Sequence, residues 1–364
     1  MRKKRILCLL LAAVLALTAF AGCKQDNSSS DGASSADDPP AQEQEVDTHE
    51  GQLQNPLTGL YDMLPGDSTL PVGVMICNDN STKMQPGLDK ADIYVETETE
   101  VGVSRIMAVF SNSTRIPETV GPVRSGRTPY LQITRALGWV CVHAGGSPKA
   151  LAMVNESDVK HINVLKAGNT TWRDSAMKSA NSNLYDHCLA SSGELLTDYL
   201  TNKTDYGTDS GRSMAWNFAK EGAEATGSEA ATLEIAISGH ATGNSYFVYD
   251  SASGVYKKNK GTAEKHTAHC SADGTQLEVA NIVILYAEKY VEQVEKYTRI
   301  NFHLDKGSEA VLLSGGKSRN LTYSCSKTGL TLNETDGGIA ELLPGKTYVY
   351  IISNEYKSKT VIGA

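Results

Sequence analysis

The residues best able to do chemistry lie between positions 96 and 185. Glu96 and Glu100 lead into Val101-Gly102-Val103-Ser104-Arg105 and an apolar run. Gly121-Pro122-Val123-Arg124-Ser125-Gly126-Arg127 then passes directly into Thr128-Pro129, and His143-Ala144-Gly145-Gly146 passes into Ser147-Pro148. In both places a glycine-bearing loop opens a helix, where unpaired N–H groups and the positive end of the helix dipole attract anions. Arg105, Arg124 and Arg127, with Ser125, Gly145, Gly146 and Ser147, are therefore candidates to hold a phosphate or carboxylate, because guanidinium presents a planar fork of donors. Arg173, within Trp172-Arg173-Asp174, and the segment Asn183-Leu184-Tyr185 are candidates to line the same cleft. Glu96 and His143 are its acid–base candidates. The same residues admit a purely structural reading. Arg105 and Arg124 then pair with Glu96 and Glu100 as buried scaffold, Gly145-Gly146 is a tight turn, and His143 is a hydrogen-bonded core histidine.

Other reactive residues point to less. His266-x-x-His269-Cys270 is half a metal site without a second cluster at zinc spacing, so it reads as solvated loop histidines, and neither metal nor cofactor is expected. Cys77 and Cys141 fall inside apolar runs, where a small buried thiol is the default. A disulfide between Cys270 and Cys325 stays open as an alternative to free thiols.

The elements that must position these residues fall into two regimes. Val72 to Cys77, Ile93 to Glu96, Arg105 to Phe110 and Trp139 to His143 are short apolar runs of the kind shown by strands covered on both faces. Thr128-Pro129 predicts a helix to Leu137 stopped by Gly138, and Ser147-Pro148 predicts another over Ala150 to Val154. Residues 55–205 thus read as an α/β domain, a mixed sheet flanked by helices. A linker is placed at 206–232. Beyond it, 233–364 carries strand patterns at Leu233–Ile237, Ser245–Tyr249, Val255–Lys257, Ile282–Tyr286, Ala310–Leu313 and Tyr348–Ile352, separated by Gly-, Asp- and Pro-rich turns. That unit is expected to be mainly antiparallel β, or α+β.

Upstream, Arg2-Lys3-Lys4-Arg5 precedes fifteen uncharged, mostly apolar residues, Ile6 to Phe20, and then Ala21-Gly22-Cys23. The run suits a signal-peptide core and is short for a bilayer span. It resembles a bacterial lipobox, which implies a signal peptide over 1–22 and a diacylglyceryl group on Cys23; two acyl chains give stable anchoring. Residues 23–54 are rich in Ser, Asp and Glu, a composition that cannot bury enough surface to order itself, and read as a tether. The chain has 364 residues and a formal net charge of −8, which becomes more negative once the basic leader is removed. Nucleic acid is therefore an unlikely partner class on charge, and a multispanning membrane protein is excluded by the single, terminal apolar run.

Gly59-Leu60, Val74-Met75-Ile76, Gly87-Leu88 with Ala91-Asp92-Ile93, Gly121-Pro122-Val123-Arg124-Ser125, His143 to Pro148 and Trp172-Arg173-Asp174 closely resemble the YerB-like lipoprotein family, bacterial surface proteins without an established activity. The resemblance continues through Tyr249-Asp250, His266, Asn281-Ile282-Val283 and Leu343-Pro344-Gly345-Lys346. Val101 stands where that family has Gly, and Ser182 where it has His. The order of Arg105, an apolar strand, Pro122-x-Arg124, a strand and Gly-Gly also resembles the core of LytR-CpsA-Psr proteins, which bind polyprenyl pyrophosphates and transfer wall polymers. That family's aspartates correspond here to Ile106 or Met107 and to Ser125, so anion binding is implied more than transfer chemistry. The expectation is a lipid-anchored protein on the outer face of the bacterial cell membrane that binds an anionic wall or lipid-linked ligand in an arginine-lined cleft. The alternatives are a phosphotransferase or hydrolase on wall precursors, and a module docking wall-synthesis proteins.

Overall fold

The computed structural model describes residues 49–211, 216–239 and 243–364, so the signal peptide, Cys23 and most of the tether lie outside the described residues. Among the described residues, strand pairing starts with Leu53–Gln54 against Tyr61–Met63.

The first part is built on strands β1 (Val72–Asn78), β2 (Ile93–Glu100), β3 (Val103–Phe110), β4 (Val140–His143) and β5 (His161–Asn163). It carries the helices α1 (Thr128–Leu137) and α2 (Pro148–Met153) at the two predicted places. Pro129 occupies the first turn of α1, and Gly138 closes it at φ +69°, a left-handed position that glycine takes without steric cost. The Ser147 hydroxyl caps α2 by accepting from the Ala150 N–H. Two further helices, α3 (Ser175–Ala180) and α4 (Gly193–Lys203), complete this part. A Cβ on Gly193 would meet the Ile116 carbonyl at 2.1 Å, so the helix start fits only without a side chain.

The second part is mainly antiparallel. It contributes β6 (Thr232–Ile235), β7 (Ser245–Asp250), β8 (Val255–Gly261), β9 (His266–Ala268), β10 (Asn281–Ala287), β11 (Tyr297–Phe302), β12 (Ser308–Ser314), β13 (Lys317–Ser326), β14 (Thr347–Ser353) and β15 (Val361–Gly363). The two parts share one sheet. Its strand order runs β13-β12-β10-β14-β2-β3-β1-β4-β5, and the seam is a parallel pairing of β14 with β2. A second sheet, in the order β9-β8-β7-β6-β15, is antiparallel throughout. Within the passage placed as a linker, Trp216 and Ala230 are buried, and Asn217–Phe218 pair with Glu341–Leu342.

The pleat sorts side chains between two cores. Tyr94, Ile106, Tyr348 and Tyr350 pack on one face of the shared sheet with Leu233, Phe247 and Tyr256 of the second sheet. Val95, Met107, Val349 and Ile351 pack on the other with Leu131, Ile133 and Ala136 of α1. This alternation decides which of the chemically promising residues can meet.

Candidate functional site

The arginines do not converge on an open cleft. A register irregularity between Glu98 and Glu100 in β2 puts Glu100 opposite Val103, next to the face that carries Arg105. There Glu100 takes Arg105 at 3.3 Å and short ion pairs with Arg127 and with Arg299 of β11. Arg105 also donates to the Ser125 carbonyl at 2.8 Å, and Arg127 to the Gly126 carbonyl at 2.9 Å. Both guanidinium groups are buried. Burial pushes the Glu100 carboxyl up, but the charges of Arg105 and Arg127 and hydrogen bonds from Thr99 and Arg127 outweigh it and hold its pKa at about 2. The scaffold arrangement therefore exists, with Glu100 as its centre and Arg127 in the place expected for Arg124.

Arg124 is elsewhere. Its Nη1 donates to the Asp186 carbonyl at 3.2 Å and lies 3.8 Å from the Asp186 carboxylate. Arg173 donates to the Tyr185 carbonyl at 2.6 Å and lies over the Tyr185 ring at 3.9 Å, an exposed arrangement on the same turn that Arg124 contacts. The Gly145-Gly146-Ser147 loop is structural. The Gly145 carbonyl accepts from the Gly126 N–H at 2.9 Å and from His143 Nδ1 at 2.7 Å, while the Gly145 N–H donates to Asn163 at 3.1 Å. Because a carbonyl only accepts, His143 Nδ1 carries the proton, and its Nε2 accepts from His161 Nδ1 at 3.1 Å. Burial drives the His143 pKa down to about 4, so the ring is a neutral, hydrogen-bonded core group. It is sealed behind Gly126, where a Cβ would come within 3.3 Å of the ring.

Glu96 alone among the predicted ligand-binding and acid–base residues lines a large cavity. This cavity, of about 720 Å³, opens between the two sheets. Glu96 follows Tyr94 on the face turned toward the second sheet, and its carboxylate is fully used. Asn78 Nδ2 and Ser104 Oγ each donate to Oε1 at 2.7 Å, and the Tyr348 hydroxyl donates to Oε2 at 2.5 Å. Lys258 Nζ lies 3.7 Å away. Lys258 is itself buried, hydrogen-bonded to Ser245 Oγ at 2.8 Å and set over the Tyr348 ring at 5.2 Å. Burial lowers its pKa, against the pull of Glu96.

Of the other residues of the cavity wall, Lys260 and Lys83 were not singled out by sequence, and His269 was expected to be solvated. Lys260, two positions beyond Lys258 on β8, has no carboxylate within ion-pair distance among the described residues. Burial first, then the Lys258 charge, brings its pKa to about 8, with Glu96 pulling the other way. Lys83 adds a third amine at the rim. His269 is fully buried rather than solvated. Its Nε2 donates to Gln85 Oε1 at 2.9 Å, and its Nδ1 has no partner among the described residues. Burial holds its pKa well below the usual histidine value. One sequence signal points at the lysines: the alternation that buries Tyr256 continues to positions 258 and 260. Cys270 and Cys325 are free thiols, as are Cys77, Cys141 and Cys188.

The cavity is thus a polar chamber with three amines against Glu96 and Asp79, suited to an anionic or hydroxyl-rich ligand. Among the described residues, no helix is long and apolar enough to cross a membrane.

Comparison with known proteins gives a consistent family. Residues 57–203 match the N-terminal domain, and residues 233–349 the C-terminal domain, of a protein family of unknown function termed DUF3048. The chain is 24% identical over 325 residues to YerB of Bacillus subtilis strain 168, named as a lipoprotein, covering 83% of this chain and 86% of that one. The crystal structure of Bacillus subtilis YerB superposes with a TM-score of 0.72 at 23% identity, covering 86% of this chain and all of the solved one.

Proposed function

Given that this chain belongs to the YerB-like family and carries both DUF3048 domains, we propose that it is a lipid-anchored cell-envelope protein that binds an anionic wall component or a lipid-linked pyrophosphate between its two sheets. The observation that carries this reading is Lys260, an amine on the cavity wall with no carboxylate partner and a pKa of about 8. A partly buried ammonium without a counter-charge works against folding, and a bound anion supplies the missing charge. The reading moves the expected ligand from Arg105, Arg124 and Arg127 to Lys258 and Lys260. The pyrophosphate class rests on the resemblance to LytR-CpsA-Psr proteins. Binding is favoured over catalysis because both acid–base candidates are committed: Glu96 to four partners, His143 to a closed core contact.

Thermal melting with pyrophosphate tests this. At a hundredfold excess over Kd the ligand should stabilise the wild type by about 2.7 kcal/mol, and the shift should shrink as salt screens the amines. It should also fade as the pH rises through about 8, where Lys260 loses its proton. Lys260→Met should abolish the shift and raise the unliganded melting temperature. The depressed folded-state pKa means that the penalty of charging Lys260 is full below about pH 8 and disappears as the pH approaches the ordinary 10.5. Arg124→Ala should keep the shift. Loss of the shift in Arg124→Ala, with retention in Lys260→Met, would return the ligand to the arginines.

Anchoring has its own test. Two acyl chains on Cys23 are the proposed stable attachment, so Cys23→Ala should leave the protein in the medium or unprocessed. A correctly cleaved Cys23→Ala protein that still fractionates with membranes would refute the anchor.

A further inference from the structure

Asp79, on the cavity wall, also belongs to a second cluster, whose other members, Cys77 and His187, are not among the cavity-lining residues. Cys77 is the penultimate residue of β1, Asp79 follows directly after the strand, and His187 comes from the turn Tyr185–His187. One donor atom from each, the Cys77 sulfur, an Asp79 oxygen and a His187 nitrogen, lies within 4.8 Å of the others. Cys77 Sγ is 3.4 Å from Asp79 Oδ2, and His187 Nε2 is 3.1 Å from the same oxygen. With bond lengths of about 2.0 to 2.3 Å, tetrahedral zinc ligands stand roughly 3.3 to 3.5 Å apart, so the spacing already suits one ion.

Proton placement sharpens the argument. Ser81 Oγ lies 2.5 Å from Asp79 Oδ1, a carboxylate oxygen that accepts, so the hydroxyl proton points there. The Ser81 lone pair then faces His187 Nδ1 at 3.0 Å, which makes Nδ1 the protonated nitrogen. His187 Nε2 is left to face a carboxylate oxygen. Two electron-rich atoms at 3.1 Å repel unless a proton or a cation lies between them, and the Cys77 sulfur borders the same point.

The surroundings resemble the support that metal ligands receive. A hydrogen bond on the distal nitrogen, here donated by His187 Nδ1 to Ser81 Oγ, fixes the tautomer of a ligating histidine. Thr82 Oγ1 stands 3.2 Å from Cys77 Sγ and 3.1 Å from Asp79 Oδ1. Asn181 accepts from the Lys83 and Met84 N–H groups and donates to the His187 carbonyl at 2.9 Å, tying the loop to the histidine segment.

We propose that Cys77, Asp79 and His187 form a binding site for a divalent transition metal of the zinc type. Thiolate, imidazole and carboxylate are its preferred donors, and three protein ligands leave one coordination position for water or a further ligand. Sequence spacing could not show this, because His187 is distant in the chain and Cys77-x-Asp79 is not a motif. The inference stands independently of anion binding at Lys260.

Cobalt reads the site directly. The full chain, held in detergent and stripped with chelator, should take up one equivalent of Co²⁺ with a thiolate-to-cobalt charge-transfer band in the near ultraviolet, and Zn²⁺ should displace it. Cys77→Ser should lose the band, whereas Cys141→Ser, a buried thiol outside the cluster, should keep it. Asp79→Asn and His187→Gln should weaken zinc at least about tenfold in competition with a chromogenic chelator, the scale on which even supporting partners of a metal act. Melting curves of each variant would separate loss of the site from loss of the fold. No saturable uptake by the wild type, or a band that survives in a folded Cys77→Ser protein, would overturn the site and leave a proton between His187 and Asp79.

Discussion

Glu100→Gln should be among the most damaging single substitutions in the folded part, costing about 3 to 5 kcal/mol. One carboxylate neutralises Arg105, Arg127 and Arg299, and the amide would leave three largely buried guanidinium groups facing one another. Acid should reproduce the loss in the wild type. The Glu100 pKa is about 2 in the fold against an ordinary 4.5, so its contribution is fully present above about pH 4.5 and drains away as the pH falls toward 2. A shift of that size corresponds to roughly 3 kcal/mol. Urea midpoints at pH 7 and pH 3 check both statements: the gap between wild type and Glu100→Gln should narrow in acid. Arg124→Ala provides the contrast. Its partner Asp186 is 72% exposed, and such surface pairs contribute about 1 kcal/mol or less. A Glu100→Gln protein as stable as wild type at pH 7, or an Arg124→Ala protein that loses more, would invalidate the assignment of scaffold and periphery.

The second large effect concerns the buried pair inside the cavity. Glu96→Gln keeps one oxygen to accept from Asn78 and Ser104, turns a donating NH2 toward the Tyr348 hydroxyl, and removes the charge facing Lys258, whose remaining hydrogen-bond partner is Ser245. Stranding a buried ammonium should cost about 3 kcal/mol or more. Replacing Lys258 as well, in Glu96→Gln/Lys258→Met, should recover most of that loss, because the stranded charge is then gone and an apolar side chain can lie against the Tyr348 and Phe247 rings. Calorimetry on the two single variants and the double gives the coupling. If the double variant is as unstable as the sum of the singles, the pair is not coupled and Glu96 acts only through its hydrogen bonds. The double variant should also bind pyrophosphate less tightly than wild type while folding nearly as well, which separates the cavity's ligand role from its structural one.

Local rules carried far into this chain. Pro129 and Gly138 bracket α1, and Ser147-Pro148 opens α2, because caps and stops are decided within one helical turn. The strands from Val72, Ile93, Val103 and Val140 announce themselves as apolar runs, because both faces of the shared sheet are covered. The change from α/β to antiparallel character near residue 232 is likewise compositional.

The site depended on pairings that local patterns do not encode. Glu96 lies opposite Ile106, and Thr97 opposite Arg105, so Glu96 faces the second sheet while Arg105 faces α1. With a side-chain period of two, one residue of register is the difference between an arginine cleft and a buried Arg–Glu scaffold. Lys258 and Lys260 are turned toward the cavity only when the second sheet is laid on the first. His269 becomes a core residue for the same reason, docking on Gln85 from a distant part of the chain. The sequence by itself pointed to the lipobox-like motif at Cys23, the places of α1 and α2 and the apolar runs of the main strands, since each rests on composition or on contacts a few residues apart. Only the tertiary structure decided that the two parts share one sheet through β14 and β2, that the amines gather on one cavity, and that Cys77 and His187 meet Asp79, because those contacts join residues whose separation in the chain carries no information about their distance in space.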